Sequence, residues 1–445
     1  MTIDEAVALP AVGRRARPGV PWLDAVDSSV YVDPAVHARE RQRIFQRTWQ
    51  FLAHDSEIPN PGDFVVRYIG DDSIIVSRGV DGVVRAVLNV CTHRGMQVCR
   101  ADLGNTRRFT CPYHGWAFEP EGRLVSVPLD RHFGPDGVDR ETMGLRPIAQ
   151  LENFDGLWFG NMSAEAPTLT EYLGDFAWYL KIYTARDPQG TEVIGEPQRW
   201  RVPGNWKIAC ENVMGDSYHV QTTHRSVFEC GIHPNQAKDF TSGGARNGIH
   251  IDAGYGTTGL SRQSAVERGY PRAMQDMFAE TLSAEHRDLL FGEQPLWPTR
   301  AHLFPNFSLL CAGARISSTE LYPYILMRTW RPIDADTLEI WSWVLVEKGA
   351  SDEFKEKSAR AYVLTFGPAG TEEVDDAENW SSMQRAFHGA ESSAIGQVLT
   401  MGGKDEMDEL VIADWPAPGT AIASSYTDAG NRRFHALWRD LMEAE

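Results

Sequence analysis

Two short pairs of ligand-type residues, Cys91-Thr92-His93 and Cys111-Pro112-Tyr113-His114, are separated by residues 94–110. A C-x-H pair followed by a C-x₂-H pair supplies two thiolates and two imidazoles. That set matches a Rieske [2Fe–2S] cluster, in which the thiolates hold one iron and the imidazoles the other. Neutral nitrogen ligands raise the reduction potential, so the chemistry indicated is one-electron relay. Each pair fits one loop tip, since Gly95, Pro112-Tyr113 and Gly115-Trp116 are turn-compatible. Zinc also accepts Cys₂His₂ ligation, but its fingers and ribbons favour C-x₂₋₄-C and H-x₃₋₅-H pairs, so the cluster is the preferred reading.

A cluster that only carries electrons does not need the long chain that follows it, and Asp216-x₂-His219-x₄-His224 offers a destination. On a regular helix Asp216 and His219 would lie about 60° apart, whereas His219 and His224 would diverge by about 140°. If both imidazoles bind one ion, the helix must end or distort after His219, and Thr222-Thr223 are poor helix formers. Two histidines want one carboxylate to complete a facial triad, which leaves adjacent positions open on ferrous iron. Asp375-Asp376 is the best distant candidate. It follows a Gly367-Pro-Ala-Gly370 break at an expected helix start, where acidic residues also suit the helix dipole without any metal. Without the cluster, His219 and His224 would read as hydrogen-bonded core histidines.

The elements that must position these residues are legible in outline. Asp33-Pro34 is a helix start for a segment expected to run to about Leu52. From Gly62 the texture changes to short β-rich runs with Asp81-Gly82 as a hairpin signal, continuing to Leu157-Trp158-Phe159. The expected organisation is α+β: residues 1–47 as the first part of a catalytic domain, a β-rich cluster domain at 48–165 inserted into it, and 166–445 as the remainder. Helices are expected at Thr170 to Tyr183 and Trp206 to Thr222, then a Gly-rich irregular region between Gly231 and Gly259. Paired strands are expected from Ile316 to Trp330 and Thr337 to Glu347, a helix from Ser351 to Phe366, and another from about Asp375. The strands should form a central antiparallel sheet flanked by the helices.

Composition bounds the partners. At 445 residues, 42% apolar with 14 Trp and 19 Phe, the chain can fill two cores. A formal charge of −18 argues against nucleic acid or an anionic membrane. Six cysteines, two claimed by the cluster, indicate no disulfide framework, so a reducing cytoplasm is expected. Cys99, Cys210, Cys230 and Cys311 read as small buried hydrophobes. Arg14, Arg15 and Arg17 are followed by no apolar signal region, and no run approaches the roughly 20 residues of a membrane span.

At this point the chain resembles a family, the α subunits of Rieske non-haem iron aromatic-ring-hydroxylating oxygenases, such as naphthalene and biphenyl dioxygenases. Cys91-Thr-His-Arg-Gly, Cys111-Pro-Tyr-His-Gly-Trp, Asn205-Trp-Lys, Glu211-Asn-Val-Met-Gly-Asp-Ser-Tyr-His219, Thr223-His224, Phe304-Pro-Asn, Phe366-Gly-Pro-Ala-Gly, Asp375-Asp-Ala-Glu-Asn-Trp380 and Ala429-Gly-Asn-Arg-Arg-Phe434 occur in the family's order. The resemblance implies that Asp376 is the iron-binding carboxylate and Asp375 structural. It implies that Asp216 hydrogen-bonds His114 of a neighbouring subunit, so a head-to-tail trimer, α₃ or α₃β₃ with a small β subunit, supplies the working pair of centres. It also implies an aromatic substrate, O₂ and a cis-dihydrodiol product. Electrons would come from NAD(P)H through a reductase, usually with a ferredoxin, and the chain has no G-x-G-x-x-G of its own.

By family position the pocket should include Asn212, Val213, Val220, His302, Phe366 and Glu372, with Phe366 able to stack on an aromatic ring. Glu372 is the departure, because dioxygenases for unsubstituted aromatics tend to place a large apolar side chain there. Either it meets a cation, Arg315 being a conceivable one, or a polar substrate group, or it turns to solvent. Arg94, Arg100, Arg107 and Arg108 read as a solvated basic face or a dock for an acidic ferredoxin. The nearest rival function is a Rieske monooxygenase or demethylase. A Rieske electron carrier is the rival from another class, and it would not need the set Asp216, His219, His224 and Asp376.

Overall fold

The computed structural model describes residues 13–14, 24–233, 248–403 and 409–444. Arg15, Arg17 and residues 234–247 of the Gly-rich stretch lie outside them. The chain forms two compact units, one from Phe45–Leu169 and the other from the segments up to Ile44 and from Thr170 onward.

In the Phe45–Leu169 unit, a four-stranded antiparallel sheet runs in the order Val84–Leu88, Asp72–Arg78, Asp63–Ile69, Leu103–Asn105. Its two long strands are buried on both faces, so the two-residue period of a strand sends alternate side chains into different cores. Phe64, Val66, Ile75 and Val87 enter one core, which also holds Cys91, Cys111 and Trp116. Val65, Ile74, Val76 and Ala86 enter the other, with Leu52 and Ile148. The first core therefore seats the cluster loops. Gln50–His54 is a strand paired with Leu157–Asn161, not the end of a helix. The helix begun at Pro34 stops at Glu40, followed by a π-helical turn over Arg41–Phe45. The β-propensity of Phe51 and Leu52 against an available partner strand outweighs the helical pattern that suggested a run to Leu52.

The other unit is built on a nine-stranded antiparallel sheet. Leu321–Pro332 and Thr337–Glu347 form its centre, paired from Ile325↔Leu345 to Pro332↔Leu338 around the Asp334–Asp336 turn. Both Thr191–Val193 and Gln198–Pro203 pair with Thr337–Glu347. On the other side follow Phe307–Arg315, Trp297–Leu303, Gly256–Ser261, Gly248–Ala253 and Thr420–Ile422. The expected irregular region thus contains a hairpin, Gly248–Ala253 with Gly256–Ser261, whose glycines hid the strand signal.

Four helices matter for the site: Trp206–Gly215, Asp352–Thr365, Thr371–Phe387 and Ala429–Glu443. The first is anchored at its start by Asn205, whose side-chain oxygen accepts from Lys207 N and whose Nδ2 donates to the Tyr31 and Ala335 carbonyls. Beside it Lys207 Nζ lies 2.6 Å from Glu40 Oε1, and Glu40 also accepts from the Trp206 and Trp438 indoles. A fully paired buried charge of this kind fixes the helix in place. Farther along, His435 Nε2 and the Tyr31 hydroxyl meet on Glu211 Oε1 at 3.0 and 2.8 Å.

Candidate active site

The two cluster loops are near copies of one another. Cys91 N donates to Met96 O and Gly95 N to Cys91 O; Cys111 N donates to Trp116 O and Gly115 N to Cys111 O. Gly95 and Gly115 turn at φ 73° and 74°, a conformation that disfavours any side chain. Both thiols are buried, and the His93 and His114 rings lie with centroids 4.6 Å apart. His93 stacks flat on Trp116 at 4.7 Å. Burial, and then the facing Cys111 thiol, raises the Cys91 pKa. His93 Nδ1 is buried without a hydrogen-bond partner, as expected of an atom that serves a metal. The four residues fit a [2Fe–2S] cluster.

The second site is made by a break in the chain. The helix from Trp206 ends at Gly215, before Asp216 rather than after His219. Asp216 Oδ1 then accepts from Tyr218 N and His219 N at 3.0 and 3.1 Å, forming a side-chain-stabilised turn. A short helix, Val220–Thr223, carries the chain to His224. The break precedes both histidines, and the short helix carries them at its two ends with ring centroids 5.3 Å apart.

The opposing carboxylate comes from the helix that begins at Thr371, four residues earlier than expected, so Asp376 sits in its second turn. Asp376 Oδ1 lies 3.5 Å from His219 Nε2 and 3.3 Å from His224 Nε2. One ligand atom from each of these three residues falls within 4.8 Å of the others. Asp376 Oδ1 is buried with no hydrogen-bond partner, aimed between two ring nitrogens. Two imidazoles and one carboxylate converging on one point fit a 2-His-1-carboxylate ferrous site.

The outer ring nitrogens also face carboxylates. His219 Nδ1 is 3.3 Å from Asp216 Oδ2, and His224 Nδ1 is 3.3 Å from Asp375 Oδ2. Such partners fix ring tautomer and orientation. The contact of Asp375 with His224 is a property of the fold, because adjacency to Asp376 does not reveal which way the side chain turns. Burial alone would lower the His224 pKa, but the facing Asp376 carboxylate outweighs it and raises it to about 9. Burial would raise Asp216, and the His219 contact lowers it below the usual range. Asn212 Nδ2 lies 3.5 Å from His219 Nε2.

Beside the three residues opens a cavity of about 300 Å³, lined among others by Asn212, Val213, Val220, Leu310, Leu326, Phe366 and Glu372. His302 does not line it. Its Nδ1 meets Ser308 Oγ at 2.9 Å and its ring packs edge-on against Phe434 of the C-terminal helix, which seals it away; burial lowers its pKa to about 3. Glu372 does not turn to solvent, being 8% exposed. Nor does it meet Arg315, which ends its strand opposite Leu321 and does not line the cavity. Burial raises the Glu372 pKa to about 7. Unanticipated from the sequence, Arg328 pairs with neighbouring Glu373 at 2.7 Å and donates to Phe366 O at 2.7 Å. Among the other cysteines, Cys210 and Cys311 are buried, Cys99 is half-buried, and Cys230 is exposed, contrary to expectation.

A loop pair that fits a [2Fe–2S] cluster, and a 2-His-1-carboxylate set beside a cavity of mixed apolar and charged lining, are the marks of a Rieske non-haem iron oxygenase. Comparison with known proteins gives the family. Residues 177–444 match the ring-hydroxylating α subunit catalytic domain and residues 48–142 the Rieske [2Fe-2S] domain. The chain is 35% identical to the large oxygenase component of a naphthalene 1,2-dioxygenase system from Ralstonia sp., over 92% of this chain and 90% of that protein. It is 33% identical to the biphenyl 2,3-dioxygenase subunit alpha of Rhodococcus jostii, over 94% and 88%. A crystal structure of naphthalene 1,2-dioxygenase from Rhodococcus sp. bound to indole superposes with a TM-score of 0.87 at 37% identity, covering 95% of each chain. The chain belongs to the ring-hydroxylating dioxygenase α subunits, enzymes that carry a Rieske cluster and a mononuclear iron. Among the described residues no helix is long and apolar enough to cross a membrane.

Proposed function

We propose that this α subunit adds both atoms of O₂ to an aromatic ring, giving a cis-dihydrodiol in the catabolism of an aromatic compound. In this reading Cys91, His93, Cys111 and His114 hold the cluster, and His219, His224 and Asp376 hold the iron. The observation that carries it is the orphaned Asp376 Oδ1 facing two Nε2 atoms at the edge of a cavity sized for one or two rings. When bound, the cluster relays single electrons and the ferrous ion activates O₂.

The chain's own residues do the positioning. The Asp216 and Asp375 carboxylates face the Nδ1 atoms of His219 and His224, which favours the tautomers that leave Nε2 free to ligate. Phe366, Val213, Val220, Leu310 and Leu326 offer the substrate apolar contact and exclude water from the reacting face. Phe366 is held from behind by Arg328, whose guanidinium lies 5.4 Å from its ring.

Electrons would arrive from NAD(P)H through a reductase, with or without a ferredoxin. The working form would be a trimer of α subunits, alone or with small β subunits, in which Asp216 links His114 of one copy to His219 of the next. The side chain of Asp216 is 36% exposed, open enough for that contact. A cytoplasmic setting suits the free cysteines. Product analysis under ¹⁸O₂ tests the reading: two label atoms on adjacent ring carbons are expected, and a single labelled oxygen, or dealkylation, sinks it.

A further inference from the structure

Glu372 is more than nine-tenths buried, lines the cavity, and has no hydrogen-bond or ion-pair partner among the described residues. Helical geometry puts it there. It sits in the first turn of the Thr371–Phe387 helix, four residues before Asp376, so the two carboxylates share one helix face and look into the same space.

Among the described residues no group lining the cavity forms a hydrogen bond or ion pair with it, and Arg300 Nη2 and Arg268 Nε are themselves buried without a partner. Of the guanidiniums lining the cavity, Arg328 pairs with Glu373, Arg300 donates to Met214 O and Ser217 Oγ, and Arg268 donates to Ser261 Oγ. The ring nitrogens of His219 and His224 face Asp216, Asp375 and Asp376. The Tyr324 hydroxyl meets Thr365 Oγ1 at 2.5 Å. Glu372 is also outside the three residues whose ligand atoms converge, so it is not a fourth member of the metal set. A buried carboxylate left without a donor is strongly unfavourable, and the space in front of it is where the substrate goes.

We infer that Glu372 is a specificity-determining residue that accepts a hydrogen bond from an N–H or O–H group on the aromatic substrate. The inference rests on the cavity being the substrate site of the proposed dioxygenase. A charged Glu372 repels a carboxylate placed against it, so the same pocket end favours arylamines and phenols over aromatic carboxylates.

The test uses anaerobic holoenzyme and calorimetry with four probes of one shape: 2-naphthylamine, 2-naphthol, naphthalene and 2-naphthoate. The wild type is expected to bind the amine and the naphthol at least tenfold more tightly than naphthalene, and the carboxylate at least tenfold more weakly. Glu372→Leu should collapse the donor preference. Glu372→Gln, which keeps size and carries the test if the leucine variant loses iron, should narrow it and relieve rejection of the carboxylate. Affinity ratios equal within twofold across the three proteins overturn the inference. Turnover of the same probes with reductase, NADH and O₂ separates the two readings. Dihydroxylation of naphthalene without any donor preference defeats the inference alone. Tight amine binding with no dihydroxylated product from any probe defeats the dioxygenase reading alone.

Discussion

The His224 imidazole spans two consecutive carboxylates, with Nδ1 3.3 Å from Asp375 Oδ2 and Nε2 3.3 Å from Asp376 Oδ1. Neighbouring residues on one helix thus meet opposite edges of one ring, which suits one to ligate and the other to orient. Asp375→Ala should weaken iron retention by about 10–100-fold, read as iron content after dialysis, while the cluster spectrum persists. Asp376→Ala should remove the mononuclear iron outright. Wild-type iron retention in Asp375→Ala would falsify the orienting role.

Asp216 combines a turn and an electrostatic contact in one side chain. Asp216→Asn keeps an acceptor for Tyr218 N and His219 N but removes the carboxylate facing His219 Nδ1. Iron should stay bound and turnover should fall by about 10–100-fold, with a reduced cluster that reoxidises slowly in single-turnover experiments. Unaltered reoxidation would rule out Asp216 as the link between centres.

Arg328 is a stability prediction. It is 2% exposed and its partner Glu373 is 1% exposed, so Arg328→Met leaves a buried carboxylate whose one remaining donor among the described residues is the Trp200 indole. Denaturant unfolding should show a loss of about 3–5 kcal/mol, and the double change Arg328→Met with Glu373→Leu should recover much of it. Equal stability of the single variant and wild type would refute the coupling.

Buried histidines set an acid limit on stability. Burial lowers both His250 and His302 to about 3. Each binds a proton in the unfolded chain below about pH 6.5 while the folded form stays neutral, so stability is fully present above that pH and is lost as pH falls toward 3. Each should contribute a slope of about 1.4 kcal/mol per pH unit in that window. His302→Gln should flatten the measured dependence by about that amount between pH 5 and 4. An unchanged slope would show that His302 is protonated in the folded state.

The ligand types and their spacing are properties of the chain. Cys91, His93, Cys111 and His114 sit in tight turns whose conformation is set within a few residues, so the two paired loops were legible in local sequence. The long paired strands on either side of Asp334–Asp336 and the helix capped by Ser351 are legible for the same reason: period and capping are local. The triad residues were nameable as candidates, but their convergence depends on contacts between segments more than a hundred residues apart.

Tertiary packing decided the rest. The break at Gly215 and the turn around Asp216 redirected the chain ahead of His219, and the short helix after it carries His219 and His224 at its two ends. The helix start at Thr371 turned Glu372 into the cavity, and packing under Phe434 took His302 out of it. The contact of Asp375 with His224 likewise exists only in the folded chain. Each outcome is a matter of which face of an element meets which neighbour, and that is fixed by long-range burial rather than by the residues on either side.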